Sequence, residues 1–242
     1  MIDLHSHILP GIDDGAKTLQ DSIEMAKYSI ERGVTHMMCT PHIHFNRFNN
    51  TYDSIAHIFF QMLEAVAEQG LALKLAFGAE VRVAPEIISL VKSNTLPYIG
   101  EINGKSCVLL ELPHSHVPAG ADTLIKWLIA NEVQPIIPHP ERNREILDDY
   151  NKVLWLKKLG CLFQLTAGAV VGKFGQDIQL LSGRMLDDSL PYYVASDMHN
   201  LDKRANDMSD AYDYVESEYG TSHAESLFIT NPKTITARVD WQ

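Results

Sequence analysis

The chain has 242 residues and a hydrophobic content of 45%, enough to bury a sizeable core, and we expect one domain spanning residues 1–242. Acidic residues outnumber basic ones by 31 to 20, which argues against a nucleic-acid surface that relies on broad phosphate neutralisation. No stretch approaches the ~18 uninterrupted apolar residues of a membrane span, so the sequence predicts no membrane insertion.

The amino-terminal residues and the cysteines both favour a cytoplasmic protein. Residues 1–10 are short and polar, without the basic start and apolar run of a secretion signal. Cys39, Cys107 and Cys161 are odd in number and lie in apolar runs, so buried reduced thiols are expected. The sequence does not indicate an oligomeric state.

Short apolar or β-branched runs alternate with amphipathic stretches along the chain, a pattern typical of a parallel sheet or barrel. Strands are predicted at residues 2–4, 36–39, 73–77, 107–110, 135–137, 162–165 and 192–195. Helices are predicted at residues 21–32, 53–69, 121–131, 148–159 and 176–187. The chain from Arg204 onward is expected to form two more helices, the last beginning near Asn231 and Pro232.

The fold class expected from this order of elements is α/β. Seven βα units in a single run indicate a barrel with fewer strands than the eightfold one. The helix at residues 53–69 is the clearest of the helices, because its apolar residues fall near helical spacing and form one face.

Polar residues follow six of the seven predicted strands. Carboxyl ends of parallel strands meet at one rim of a barrel or one edge of a sheet, so these side chains are expected to converge. They are Asp3, His5 and His7, then His42, Glu80, Glu111, then His139, Glu141 and Arg142, and finally Asp197 and His199.

Converging imidazoles and carboxylates predict a metal site. Alternate residues of an extended segment project to the same side, so His5 can act with His7, and Asp197 with His199. One such pair is weak evidence, but six strand ends with such residues are much stronger. The number of candidate ligands exceeds what one tetrahedral zinc needs and indicates two or three ions bridged by carboxylate. A mixed set without thiolate suits manganese, iron or zinc more than copper.

The other six histidines fall into two groups. Structural or solvent-exposed roles are expected for His36, His57 and His223. The other three, His44, His114 and His116, fall near the predicted rim. For these, either contact with the substrate or a purely structural role is possible.

Other phosphatase and nucleotide-binding chemistries lack their residues in this sequence. A cysteine phosphatase needs an arginine six positions after its nucleophile, and none of the three cysteines has one. The stretch at residues 168–173 is one residue short between its glycines for a phosphate-binding loop and is followed by Phe174. The sequence has neither a dinucleotide fingerprint nor a nucleophile elbow, so metal chemistry remains.

Five motifs occur together in one known group of enzymes. They are Asp-Leu-His-Ser-His at residues 3–7, Gly-Ile-Asp-Asp-Gly at 11–15, Gly-Ala-Glu at 78–80, His-Pro-Glu-Arg at 139–142 and Ser-Asp-Met-His-Asn-Leu at 196–201. Through them the chain resembles the bacterial polymerase-and-histidinol-phosphatase (PHP) phosphoesterases, specifically the CpsB/YwqE-like protein-tyrosine phosphatase branch. The similarity extends from Met1 to Asn231 and Pro232.

This resemblance implies a single-domain distorted (β/α)7 barrel with three divalent ions, usually assigned as manganese, at its rim. It implies one ion held by His5, His7, Glu80 and Asp197, and a second by Glu80, Glu111 and His139. The third would be held by His42, His199 and an acid of the loop at residues 11–15, for which we choose Asp14 with Asp13 as the alternative. Arg142 and Arg204 are implied as the catalytic arginines beside the metals.

The resemblance also implies a substrate, the phosphotyrosine-rich tail of a bacterial tyrosine autokinase that controls capsular or extracellular polysaccharide synthesis. Histidinol phosphate or another small phosphomonoester is the enzymatic alternative. A non-catalytic phosphopeptide-binding module is the alternative of another class. Glu111 stands where many PHP relatives carry histidine, a departure that the tyrosine-phosphatase branch shares and that favours it.

Overall fold

Ten β-strands form the framework of the chain in the computed structural model, which describes residues 1–242. Every strand pair is parallel except β6 with β7, which is antiparallel. The strands are β1 (Ile2–Ser6), β2 (His36–Cys39), β3 (His42–Ile43), β4 (Lys74–Phe77), β5 (Glu80–Arg82), β6 (Gly100–Ile102), β7 (Lys105–Glu111), β8 (Val133–Pro138), β9 (Leu162–Thr166) and β10 (Tyr193–Ala195).

The strands divide into two hydrogen-bonded sheets, of order β1-β2-β4 and β10-β9-β8-β7-β5-β3. The backbone passes twice from the first sheet into the second, because β3 follows directly on β2 and β5 on β4. The hydrogen bonds from Gly78 N to Cys39 O and from Glu80 N to Pro41 O keep the two segments side by side across this passage. Each pair therefore acts as one interrupted strand.

The other edges of the two sheets also meet. Ser6 at the end of β1 forms a parallel bridge with Met198, just beyond β10. The backbone N–H of Asp197 donates to the carbonyl of His5 at 2.8 Å. The carboxyl ends of the first and last strands of the chain therefore lie next to each other.

Eleven α-helices cover the sheets, and none combines the length and apolar composition that a membrane-crossing helix needs. The two longest begin with capping boxes, as Thr18 and Asp21 do for the first. The helices are α1 (Leu19–Glu31), α2 (Tyr52–Glu68), α3 (Ile87–Lys92), α4 (Ala121–Ala130), α5 (Arg144–Asp148), α6 (Asn151–Lys158), α7 (Ala167–Val170), α8 (Gln176–Asp187), α9 (Met208–Tyr219), α10 (Thr221–Glu225) and α11 (Asn231–Ile235).

All seven predicted strands are confirmed, with ends shifted by at most two residues, whereas β3, β5 and β6 were not predicted. The helix predicted at residues 148–159 is confirmed as α6, which begins three residues later because extended backbone at Asp149 separates it from α5. The two helices predicted after Arg204 were too few. Gly220 has a φ of 88°, which ends α9, and a π-helical turn at Ser226–Thr230 precedes α11.

Side chains on the two faces of the strands belong to two hydrophobic clusters. The larger, of 50 buried residues, lies between the strands and the helices. The smaller, of 11 buried residues, contains side chains from strands of both sheets, among them Leu4, Met38 and Tyr193. Val194, next to Tyr193, belongs to the larger cluster, so successive residues of β10 serve different cores. The three cysteines are buried and unpaired, as expected.

Neighbouring phenylalanines of α2 allow a direct measurement of what the larger core contributes. Phe59 is 2% exposed and packs against Phe77, whereas Phe60 is 59% exposed. We expect Phe59→Ala to lower the free energy of unfolding by about 3–5 kcal/mol, because it leaves a cavity. Phe60→Ala is the matched control and should change it by at most ~0.5 kcal/mol. Urea denaturation measures both, and equal effects would contradict this packing.

Candidate metal centre

Two histidines at the end of β1 face each other in the interior of the protein. The Nε2 atoms of His5 and His7 are 3.1 Å apart, and both side chains are fully buried. Their Nδ1 atoms lie 2.8 Å from Gln164 Oε1 and 2.7 Å from Asp13 Oδ2, which only accept hydrogen bonds. With Nδ1–H donating there, the two Nε2 lone pairs point at each other. A shared cation between them removes this conflict.

Glu80 lies at the centre of the cluster. Its Oε2 is 3.3 Å from Nε2 of both His5 and His7 and 3.0 Å from Nδ1 of His42. Its Oε1 is 2.7 Å from Nε2 of His139. Because one carboxylate contacts four imidazoles, Glu80 has the position of a bridging ligand.

A second buried carboxylate, that of Asp197, faces the same pair of imidazoles. Its Oδ1 is 3.4 Å from Nε2 of His5 and of His7. Its Oδ2 accepts hydrogen bonds from Arg142 and from Arg204, the latter at 2.5 Å. Asp197 thus presents one oxygen to the histidines and the other to the two arginines.

The two neighbouring acids of the loop at residues 11–15 have different surroundings. Asp13 turns inward, where its oxygens accept from His7 Nδ1 and from the backbone N–H groups of His42 and Gly15. Asp14 is half exposed, and its Oδ1 lies 3.3 Å from His42 Nε2 and 3.6 Å from His199 Nε2. Only Asp14 therefore has an oxygen free to join the imidazoles.

The last of the predicted acids, Glu111, stands at the edge of the cluster. Its Oε2 is 3.7 Å from His42 Nδ1 and 3.2 Å from Arg82 Nε. Burial and the neighbouring negative charge of Glu80 raise the pKa of the Glu111 carboxyl to about 7. Glu111 is thus an acid whose ionised form needs more positive charge than Arg82 alone provides.

The structure brings all nine predicted ligands together at the carboxyl ends of the strands. The residues form three groups, and within each group the possible ligand atoms lie within 4.8 Å of one another, close enough to share an ion. They are His7 with Asp14, His42 and His199; His5 with His7 and Glu80; and His42 with Glu80 and Glu111. His139 and Asp197 contact these groups through Glu80 and through the pair His5 and His7.

Buried atoms without hydrogen-bond partners indicate what the cluster can hold. Such atoms are rare in native proteins, since burying a polar group without a partner costs about 1–3 kcal/mol. Five of them lie in this one cluster, on His42 Nδ1, Glu80 Oε2, Glu111 Oε2, Asp197 Oδ1 and His199 Nε2. Nitrogen and carboxylate oxygen are the ligands that manganese, iron and zinc accept. The residues therefore fit a group of divalent ions.

The imidazoles of the cluster differ in their affinity for protons. Burial is outweighed by nearby carboxylates, which raise the pKa of His5, His7 and His42, the last to about 9, so a metal ion must displace protons there. Burial, followed by the charge of Arg142, lowers the pKa of His139 to about 3. Burial and the charge of His7 lower the pKa of His199 to about 4. Burial opposes ionisation of Asp197, but Arg204, His5 and Arg142 outweigh it and lower its pKa. Neutral imidazoles and ionised carboxylates are the forms that bind metal.

Two residues of the cluster have left-handed backbone. The φ angle is 39° at His139 and 51° at Asp197, although neither is glycine. Such conformations cost of order 1–3 kcal/mol and occur preferentially at functional sites. Glycine is required at position 15 for a different reason, which is the close approach of two backbone segments. A Cβ atom on residue 15 would collide with the backbone carbonyl of His7.

Some residues of the site were not found from the sequence. Gln164 lies inside a predicted strand, and Arg82 follows Glu80 by two residues on β5, so strand alternation could have indicated Arg82. Away from the cluster, His36 contacts Trp241, His57 bonds Gln61 and His223 packs on Tyr219. His114 lies beside the centre, with its ring 6.0 Å from that of His139.

Comparison with known families gives one match over nearly the whole chain. The family described as capsular polysaccharide synthesis, CpsB/CapC, matches residues 1–237. The tyrosine-protein phosphatase YwqE of Bacillus subtilis is 33% identical over 222 residues, covering 91% of this chain and 86% of YwqE. The tyrosine-protein phosphatase CpsB of Streptococcus pneumoniae is 30% identical over 240 residues, covering 97% of this chain and 98% of CpsB.

A solved structure agrees with these relatives. A chain from the crystal structures of YwqE from Bacillus subtilis and CpsB from Streptococcus pneumoniae, described as unique metal-dependent tyrosine phosphatases, superposes with a TM-score of 0.91. It is 31% identical, and the match covers 100% of this chain and 97% of that one. The fold and the sequence thus point to the same proteins.

Asp13 offers a test of how the centre is held. Both carboxylate oxygens of Asp13 accept hydrogen bonds, whereas asparagine has only one side-chain oxygen. In Asp13→Asn the amide NH2 therefore faces an N–H donor, and the ring of His7 is displaced. We expect this variant to bind Mn²⁺ about 10–100-fold more weakly. Calorimetric titration of Mn²⁺ into metal-free protein measures the affinity, with the exposed Asp53→Asn as control. Unchanged affinity in Asp13→Asn would contradict the orienting role.

Proposed function

Because the chain belongs to the CpsB/CapC family and is a metal-dependent tyrosine phosphatase, we propose that its substrate is the phosphotyrosine tail of a bacterial tyrosine autokinase that controls capsular or extracellular polysaccharide synthesis. The family description and the names of the relatives support this assignment. The observation that carries it is the convergence of nine metal-ligand candidates and two arginines around Asp197 and Glu80.

We propose three divalent ions, most suitably Mn²⁺ with Fe or Zn as alternatives, held by His5, His7, Asp14, His42, Glu80, Glu111, His139, Asp197 and His199. The short contacts of Glu80 with four imidazoles support a bridging role for it. The occupied oxygens of Asp13 support Asp14 as the ligand from that loop.

We further propose that residues 1–242 form one domain, a distorted (β/α)7 barrel of the PHP type. The bridge between Ser6 and Met198 supports it, because it joins the free edges of the two sheets. The inner hydrophobic cluster supports it too, since it draws on strands from both sheets. Such a barrel would carry the metal centre on its carboxyl-terminal rim.

For phosphate hydrolysis, bound divalent ions would activate a water molecule and offset negative charge on the phosphate. Arg142 and Arg204 already direct their guanidinium groups at one oxygen of Asp197, so a phosphate beside it is within reach of both. Guanidinium groups bind phosphate oxygens in bidentate fashion, which suits them to the charge that builds up during transfer. The ring of Phe174, 4.9 Å from Arg142, helps to fix that side chain.

The leaving group favours phosphotyrosine over an alkyl phosphate. A phenol has a pKa of about 10, so phenolate departs without strong protonation. The alkoxide released from histidinol phosphate needs a proton from a general acid. An aryl phosphate is therefore the less demanding substrate.

The function is tested by comparing substrates and one ligand variant. We expect the Mn²⁺-loaded protein to hydrolyse a phosphotyrosine peptide with a kcat/KM at least ~10²-fold above that for histidinol phosphate. His139→Ala should lose most of this activity, because it removes a neighbour of the bridging Glu80. Phosphate release measures both, with the exposed His57→Ala as control. A preference for histidinol phosphate, or full activity in His139→Ala, would refute the proposal.

The role of Arg142 is tested by a change that keeps its charge. Arg142→Lys loses the planar fork of donors, and we expect kcat to fall by about 10²-fold, as for other lost transition-state donors. Arg184 also lies over an aromatic ring, that of Tyr150, but lines no part of the centre. Arg184→Lys should therefore leave kcat unchanged. An unaltered kcat in Arg142→Lys would mean that a simple positive charge suffices.

A further inference from the structure

A basic cavity lies directly beside the metal centre. It has a volume of about 500 Å³, and no aspartate or glutamate lines it, although the chain carries a net charge of −11. Its lining is His44, Arg82, Val83, Pro113, His114, Ser115 and Arg144. Two arginines and two histidines are thus gathered at one place on an acidic protein.

The cavity and the centre share a wall. Arg82 lines the cavity, and its Nε is 3.2 Å from Glu111 Oε2 of the centre. The ring of His114 is 6.0 Å from that of His139. A group bound in the cavity would therefore stand next to a phosphotyrosine that reaches the metal ions.

The two arginines of the cavity keep donors that the protein does not use. Arg144 forms no ion pair within 4.0 Å, while the neighbouring Glu145 pairs instead with Lys152 at 2.7 Å. Arg82 pairs with Glu111 only through its Nε, so its two terminal nitrogens form no ion pair. Both guanidinium groups therefore have donors available for an anion.

The backbone around the cavity is held in place by hydrogen bonds. The N–H of Arg144 donates to the carbonyl of His114 at 2.8 Å. The side chain of Asn143 donates to the carbonyls of Pro113 and His116 at 2.7 and 3.2 Å. Because the backbone is already fixed, binding a ligand would order only the side chains of the cavity.

We propose that this cavity is an anion subsite for the substrate peptide, which binds an acidic group close in sequence to the phosphotyrosine that is hydrolysed. The group is a glutamate or aspartate carboxylate, or the phosphate of a second phosphotyrosine. Arginine forks bind either one, and imidazole N–H groups can donate to both. The inference rests on the proposed phosphatase function and adds sequence preference to it.

The test uses four synthetic peptides that each contain one hydrolysable phosphotyrosine. The first has no other charge, the second and third carry two glutamates on the amino or carboxyl side, and the fourth carries a non-hydrolysable phosphonate analogue of a second phosphotyrosine. We expect at least one of the last three to have a kcat/KM about 3–10-fold above that of the neutral peptide, the size of one or two partly exposed charged contacts. The glutamate and phosphate arms distinguish the two sources of the anion.

Variants locate the preference within the molecule. Arg144→Ala should lower kcat/KM for the preferred peptide more than for the neutral peptide, and Arg144→Glu should abolish the preference. Arg238 is the matched control, because it is 79% exposed and pairs with Glu101 on β6, outside the cavity lining. Arg238→Ala removes the same charge and should leave the preference intact.

The outcomes separate this inference from the function on which it rests. If no peptide is hydrolysed by the Mn²⁺-loaded protein, the proposed function fails. If all four are hydrolysed with equal efficiency, the function stands and the anion subsite is refuted. If Arg238→Ala reduces the preference as much as Arg144→Ala does, the preference comes from overall charge and the subsite is likewise refuted.

Discussion

The opposed lone pairs of His5 and His7 are the constraint on which the rest of the site depends. Two buried imidazoles with Nε2 atoms 3.1 Å apart are stable only with positive charge between them. Gln164 and Asp13 fix that arrangement from behind, and Glu80 and Asp197 supply the negative charge in front. The strands serve to bring these groups, far apart in the chain, to one place.

This concentration of donors also explains how an acidic protein can receive an anionic substrate. The net charge of −11 opposes a phosphorylated peptide at long range, but it is spread over the surface and screened by salt. Around the centre three arginines, Arg142, Arg204 and Arg82, lie among the buried acids, and bound divalent ions would add further positive charge. Recognition is therefore local, through groups in contact with the substrate.

The sequence predicted the features that follow a general rule, such as polar residues at the carboxyl ends of strands. It did not predict the contacts that depend on how the chain folds. Every strand that precedes a ligand in the chain was predicted, because polar residues after apolar runs are visible in the sequence. Strands β3 and β5, which contain His42 and Glu80 themselves, were missed, since two or three residues show no periodicity. Asp13 and Asp14 are adjacent acids in one turn, and only the folded loop shows which one orients His7 and which faces His42. Gln164 acts across the sheet, a relation that no local pattern contains.

The left-handed backbone at His139 and Asp197 places stability and chemistry in opposition. Glycine would relax either position, yet it would remove the very nitrogen or oxygen that the turn delivers to the centre. A stabilising substitution at either residue would therefore remove a candidate ligand. Substitutions that raise the thermal stability are expected elsewhere in the molecule. The two turns therefore keep side chains that can bind a metal at the cost of a strained backbone.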